Sequence, residues 1–202
     1  MLDAILRPRS IAVIGASRKP NTIGYQILEN LVRHGFTGAV YPVNPTAAAV
    51  HSIRAYPSVE AIPDEVDLAV IVVPKQHVVE AAEGCGRKGV KGLVVISAGF
   101  AEVGGSGIER QKALMEIVRR YGMRLVGPNC MGVLNTAPDR SMNATFAPSM
   151  PPPGPVAFMS QSGAMGVTGH AARFARGPSG ERCAEVTPRP VKNSDAARSG
   201  QV

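Results

Sequence analysis

Tryptophan is absent from the 202 residues, and Phe and Tyr bring the aromatic share to only 4%. Stacking platforms for bases are therefore scarce, although a net charge of +7 invites a nucleic-acid reading. Nor is the charge one block: residues 173–202 hold six Arg or Lys against three acids, and the remaining excess is spread over the first 172 residues. We expect no nucleic-acid partner and read the charge as attraction for small anionic ligands. Cysteine is sparse too. Cys85, Cys130 and Cys183 form no C-x-x-C pair, so neither a disulfide framework nor a zinc site is indicated. No apolar run approaches the roughly 18 residues of a membrane helix. Asp3 and Arg7 flank a short apolar patch that is no secretory signal. The expectation is a cytoplasmic protein with no membrane partner and no metal.

What the chain does have, over residues 10–127, is short apolar runs alternating with amphipathic stretches. Ile11-Ala12-Val13-Ile14, residues 39–43, 68–73, 93–96 and 124–126 read as strands. Ile27, Leu28, Leu31 and Val32 recur at helical spacing, as do Val78, Val79, Ala82 and Cys85, and then Leu114, Ile117, Val118 and Tyr121. Gly35, Gly89 and Gly122 stand where those helices should stop. A shorter crossover passes through Ile53, Tyr56 and Ile62. Strands that are apolar throughout, rather than alternately, are buried on both faces, which predicts a parallel sheet covered by helices. The fold class is α/β, doubly wound and Rossmann-like.

Ligands of open α/β sheets bind past the carboxyl ends of the strands. Those ends read Gly15-Ala16-Ser17-Arg18-Lys19-Pro20, Asn44-Pro45, Val73-Pro74, Ser97-Ala98-Gly99-Phe100-Ala101-Glu102 and Gly127-Pro128-Asn129-Cys130. Each is small or rich in Gly and Pro, able to bring backbone N–H groups near a ligand. The first is basic and opens a helix, so amides, the helix dipole, Arg18 and Lys19 can all face a phosphate. Gly15, between strand and loop, leaves little room for a Cβ there. NAD is disfavoured. The loop lacks G-x-G-x-x-G, since the next glycine after Gly15 is Gly24, and Asn44 stands where a ribose-binding acid belongs.

The segments GASRKPNTIGYQILENL, VYPVNP, DLAVIVVP, ISAGFAE and GPNCMGV, in this order, resemble the CoA-binding domain of NDP-forming acyl-CoA synthetases. That family includes ADP-forming acetate–CoA ligases and is related to the succinyl-CoA synthetase α subunit. GPVAFMSQSGAMG resembles the opening of the family's next, flavodoxin-like (succinyl-CoA-ligase-like) domain, so the likeness covers about residues 1–168. It implies coenzyme A or acyl-CoA at the rim of the first domain. Gly15, Ala16, Ser17, Arg18 and Lys19 match the loop at the CoA phosphates. Asn44 and Pro45, Val73 and Pro74, Ser97, Ala98 and Gly99 match the loops beside it, and Pro128 and Asn129 close the set. Ser160, Gln161, Ser162 and Gly163 match a helix start that cradles the phosphate of a phosphohistidine. The family joins a carboxylic acid to CoA at the expense of ATP through acyl phosphate and phosphohistidine, with ATP or ADP held by an ATP-grasp domain or partner subunit. Neither the phosphorylated His nor the ATP-grasp unit matches a segment of this chain, which is expected to bind CoA without catalysing the ligation.

The implied organisation is a CoA-binding domain over residues 1–130, a linker over 131–153, the incomplete start of a second domain over 154–168, and a tail over 169–202. The linker reading rests on irregular patterning and on Pro148 with Pro151-Pro152-Pro153. From Gly169 the sequence departs from the family into an Arg, Ala, Pro, Gly and Ser bias, as a shifted reading frame in GC-rich DNA would give. That tail holds too few large apolar side chains to fold and should be disordered. His34, His51 and His77 read as structural or solvated; His170 alone follows the phosphate-binding turn. Cys130 reads as a small buried thiol rather than a nucleophile. Two other readings stay open: a non-catalytic CoA-binding or CoA-sensing module, and the CoA-binding region of a protein acetyltransferase.

Overall fold

A computed structural model of the chain describes residues 2–154 and 157. Five parallel strands form its central sheet: β1 (Ser10–Ile14), β2 (Ala39–Val43), β5 (Leu68–Ile71), β6 (Gly92–Val95) and β7 (Arg124–Val126), in the order β2-β1-β5-β6-β7. The chain runs outward one way from β1 and then the other way from β5, which makes the gap between β1 and β5 the switch point of a doubly wound sheet.

Continuous burial of β1, β5 and β6 follows from their apolar runs, and period-2 alternation divides each strand between two cores. Ala12, Ile14, Ala69, Ile71, Leu93 and Val95 face one way. They pack on Val78, Ala82 and Cys85 of α3 (Val78–Lys88) and on Leu114, Ile117 and Val118 of α4 (Ser106–Arg120). Ile11, Val13, Leu68, Val70, Val94 and Ile96 face the other way, onto Ile5 of α1 (Asp3–Leu6) and Ile27, Leu28 and Leu31 of α2 (Ile23–Arg33). Gly89 ends α3 in the left-handed conformation, and Gly35 and Gly122 follow their helices at positive φ, as expected of helix stops.

The crossover from β2 to β5 contains no helix. Pro45, Pro57 and Pro63 interrupt it, and its regular part is a hairpin of β3 (Ala49–Val50) and β4 (Ile53–Arg54). The two residues between these strands, His51 and Ser52, both hold positive φ, and the His51 ring rests 4.3 Å from that of Tyr25 on α2.

Residues 131–153 correct the linker expectation. Strands β8 (Gly132–Asn135) and β9 (Met142–Thr145) pair antiparallel and cover the α2 face of the sheet, burying Met142 and Ala144 completely or nearly so. Their polar residues are buried with partners. The Asn30 amide of α2 donates to the carbonyls of Thr145 and Ala147, at 2.8 Å each, and Asn143 Oδ1 accepts from Thr145 Oγ1 at 2.6 Å. Ser141 Oγ donates to the His34 carbonyl at the end of α2. Asn143 and Thr145 break the apolar pattern in sequence, yet they stitch the hairpin down in three dimensions. Among the described residues no helix is long and apolar enough to cross a membrane, and no group of His, Cys, Asp and Glu could hold a metal ion.

Candidate functional site at the strand ends

The carboxyl ends of β5, β6 and β7, with Ile23 of α2, line a cleft of about 720 Å3 on the β5 side of the switch point. The loop after β1 is shaped by two glycines. Gly15 turns the chain at φ +96° and donates its N–H to the Val43 carbonyl. A Cβ on it would stand 3.1 Å from the Val72 backbone, so its missing side chain faces the neighbouring strand end. Gly24, in the first turn of α2, lies so close that a Cβ would run into the Gly15 carbonyl. Close approach of helix and strand therefore falls to Gly24, nine residues beyond Gly15 and outside the usual dinucleotide spacing. Thr22 caps α2, accepting from the Tyr25 N–H and donating to the Lys19 carbonyl, while Ser17 Oγ accepts from the Lys19 N–H.

Asn44 ties this loop to the end of β2. Its amide donates to the Ala16 carbonyl at 2.7 Å, and its Oδ1 accepts from Thr46 N, Thr46 Oγ1 and Ala47 N at 2.9–3.0 Å. The next loops are cross-linked in the same way. Ser97 Oγ donates to the Val73 carbonyl at 2.5 Å, and the Asn129 N–H donates to the Ser97 carbonyl at 3.1 Å.

The loop after β6 turns its amides inward. Glu102 accepts from Gly99 N at 2.5 Å and Phe100 N at 3.0 Å, Gln111 accepts from Ala101 N, and Arg110 Nη1 donates to the Gly99 carbonyl. Burial opposes the Glu102 charge, but the two amides, with Arg110 nearby, hold its carboxyl below the usual range. Phe100 is wholly buried beneath. The expectation that this loop offers its amides to a ligand is thus corrected for Gly99: its N–H is committed to Glu102.

Of the residues singled out in sequence, Val73, Pro74, Ser97, Ala98 and Asn129 line the cleft. Gly15, Ala16, Asn44 and Gly99 brace its frame, and Ser17, Arg18, Lys19, Pro45 and Pro128 belong to the surrounding loops without lining it. Ser160, Gln161, Ser162, Gly163 and His170, the 154–168 segment apart from Gly154 and Ala157, and the tail lie outside the described residues. Cys130 does line the cleft, but its Sγ is 3.3 Å from the Val95 carbonyl and burial pushes its thiol pKa up, which makes it a poor nucleophile. Sequence reasoning missed Lys75 and Gln76, which open the 3₁₀ turn into α3, and Phe146, which reaches the cleft from the segment read as linker. Lys75 and Gln76 were findable as the two residues directly after Val73-Pro74. Phe146 carried no such signal, because its place depends on the docking of β8 and β9.

Residues 9–136 match the family model described as a CoA binding domain. The chain is 51% identical over 166 residues to the acetate–CoA ligase [ADP-forming] II subunit alpha of Pyrococcus furiosus, a match covering 82% of this chain and 35% of that protein. It is 45% identical over 161 residues to the 4-hydroxybutyrate–CoA ligase [ADP-forming] of Nitrosopumilus maritimus, covering 80% of this chain and 23% of that one. Among solved structures, the acetyl-coenzyme A synthetase 1 of Ca. Korarchaeum cryptofilum, in complex with phosphate and ADP, superposes with a TM-score of 0.79 at 46% identity, over 85% of this chain and 36% of that one. The chain thus spans about a third, or less, of the length of these relatives.

Proposed function

The chain belongs to the CoA-binding domain family, and from that premise we propose that its strand-end rim holds coenzyme A for an ADP-forming acyl-CoA ligase. The observation that carries the reading is the cleft itself. Val72, Val73, Ile96 and Phe146 give it apolar walls suited to a pantetheine arm, and the loop bearing Arg18 and Lys19 lies on the same rim, suited to phosphates. No carboxylate lines the cleft among the described residues, so nothing there repels a phosphate-rich ligand. In the reaction we propose, a carboxylic acid is joined to CoA at the expense of ATP, through acyl phosphate and phosphohistidine. ATP or ADP would sit on an ATP-grasp domain or partner subunit. The contribution of the residues described here is to bind and orient CoA. The choice of acid belongs to segments beyond this domain, since relatives of similar identity are named for acetate and for 4-hydroxybutyrate.

Thermal melts of the full chain with CoA and with NAD test the reading. Ligand at 100 times its dissociation constant stabilises a fold by about 2.7 kcal/mol, which for a chain of this size is a rise of roughly 5–10 °C. CoA should give that rise and NAD none. An equal or larger rise with NAD would reject the assignment.

A further inference from the structure

We infer that Lys75 is the cation with which the cleft holds a phosphate group of coenzyme A, and that Gly99 is the positioning residue that seats it. The inference rests on the CoA reading of the rim and names the residue that gives that rim its charge selectivity. Lys75 carries the one formal charge among the described residues lining the cleft. Arg18 and Lys19, the cations that sequence reasoning favoured, lie on the loop outside it.

The place of Lys75 is built. Pro74 precedes it in an extended conformation, and the His77 N–H closes onto the Pro74 carbonyl, so the backbone leaves β5 in a set direction. The aliphatic stem then crosses the next loop over Gly99. A Cβ on Gly99 would collide with Lys75 Cδ and would stand 3.5 Å from Lys75 Cβ and Cγ. Glycine at this position, with φ +99°, therefore supplies a flat seat for the stem. The seat does not drift, because Glu102 holds the Gly99 N–H and Arg110 holds its carbonyl.

The same bonds keep the ammonium unneutralised. Glu102, the carboxylate of the adjacent loop, is committed to the amides of Gly99 and Phe100 and has Arg110 of α4 nearby. The Lys75 ammonium has no ion pair or hydrogen bond among the described residues. A cation held at an apolar cleft without a counter-ion favours an anionic group entering it. CoA offers two sources of that group, its pyrophosphate and its 3′-phosphate.

The test is calorimetric titration of the full chain and of Lys75→Met with CoA, dephospho-CoA and pantetheine at several salt concentrations. Lys75→Met should weaken CoA about tenfold or more and flatten the salt dependence of Kd. It should leave any pantetheine binding unchanged, and Lys75→Arg should recover most of the loss. An equal loss with dephospho-CoA assigns the contact to the pyrophosphate; no loss with dephospho-CoA assigns it to the 3′-phosphate. Gly99→Ala should weaken CoA in the parent, yet cost nothing further when added to Lys75→Met. A Lys75→Met chain that binds CoA with the parent's affinity and salt slope overturns the inference while leaving the rim assignment intact. So does an equal loss with pantetheine. A parent chain that binds no CoA overturns both.

Discussion

Asn44 offers the sharpest separation between a residue that builds the rim and one that touches the ligand. Its side chain makes four hydrogen bonds: one donated to the Ala16 carbonyl, and three accepted from Thr46 N, Thr46 Oγ1 and Ala47 N. Asn44→Ala removes all four. A neutral hydrogen bond contributes about 0.5–1.5 kcal/mol net. Asn44 is half-buried, so water can reach part of what it leaves behind and the low end of that range applies. The sum is a loss of roughly 2–3 kcal/mol, or a fall in Tm of about 5–10 °C, in protein without any ligand. CoA affinity should fall as well, because the Gly15 loop loses its tie to the end of β2.

Circular-dichroism melts of ligand-free protein measure the first effect, and titration with CoA the second. Asn44→Asp refines the test. It keeps the three accepted bonds but sets a carboxylate oxygen against the Ala16 carbonyl, so it should destabilise less than Asn44→Ala while still loosening the loop. It should not create NAD binding either, since one carboxylate oxygen would face Thr46 and Ala47 and the other the Ala16 carbonyl. If Asn44→Ala melts with the parent and loses only affinity, Asn44 is a ligand contact and the bracing argument fails.

Gly15→Val should lose at least about 2 kcal/mol of stability, because a β-branched residue at φ +96° is strained and its side chain would press on the Val72 backbone; an unchanged Tm with lost CoA binding would instead place Gly15 against the ligand. Asn30→Leu takes its donor from the buried Thr145 carbonyl, at about 1–3 kcal/mol, and leaves the Ala147 carbonyl only the long bond from Asn143 at 3.5 Å. Urea unfolding should show that loss, and a midpoint matching the parent would mean the hairpin is not docked through Asn30. At the opposite end of the sheet, burial works against the Asp67 charge. The Arg9 amide and guanidinium, helped by Lys91, nonetheless hold its carboxyl below the usual range. A carboxyl lowered on folding contributes stability above its unfolded pKa of about 3.9 and loses it as the pH falls further. Asp67→Asn should therefore flatten the acid limb of a stability-against-pH curve; an acid limb identical to the parent's would show that Asp67 carries none of it.

Much of the fold was legible because its signals are local. Runs such as Ile11-Ala12-Val13-Ile14 and Leu68-Ala69-Val70-Ile71 are short, rich in β-branched residues and apolar at every position, which suits a strand covered on both faces. The helix stops at Gly35, Gly89 and Gly122 needed only the steric rule for positive φ. The hairpin over residues 132–145 was not legible. Its buried positions include Asn143 and Thr145, which look solvent-facing until their partners are brought up from α2 and from their own turn. Likewise, composition marked the loop after β6 as ligand-facing, and nothing in the order Ser97-Ala98-Gly99-Phe100-Ala101-Glu102 says that the Glu102 carboxylate folds back over two of its amides.

On the proposed CoA reading, the same facts account for selectivity without a ribose-binding acid. Asn44 ties the β2 loop to the β1 loop, Ser97 ties the β6 loop to the β5 loop, and Asn129 ties the β7 loop to Ser97. These polar groups bond one another instead of waiting for a ligand, so the loops are ordered before binding and little ordering entropy opposes it. A frame built this way offers no carboxylate at the end of β2 with which to hold a ribose. What it presents is shape, apolar wall and a small number of cations, which on the proposed CoA reading would discriminate by phosphate charge and by the fit of an apolar arm. An acid at position 44 would oppose the first of these and would strand the Ala16 carbonyl. On the proposed CoA reading, Asn44 therefore suits the end of β2 better than an acid would.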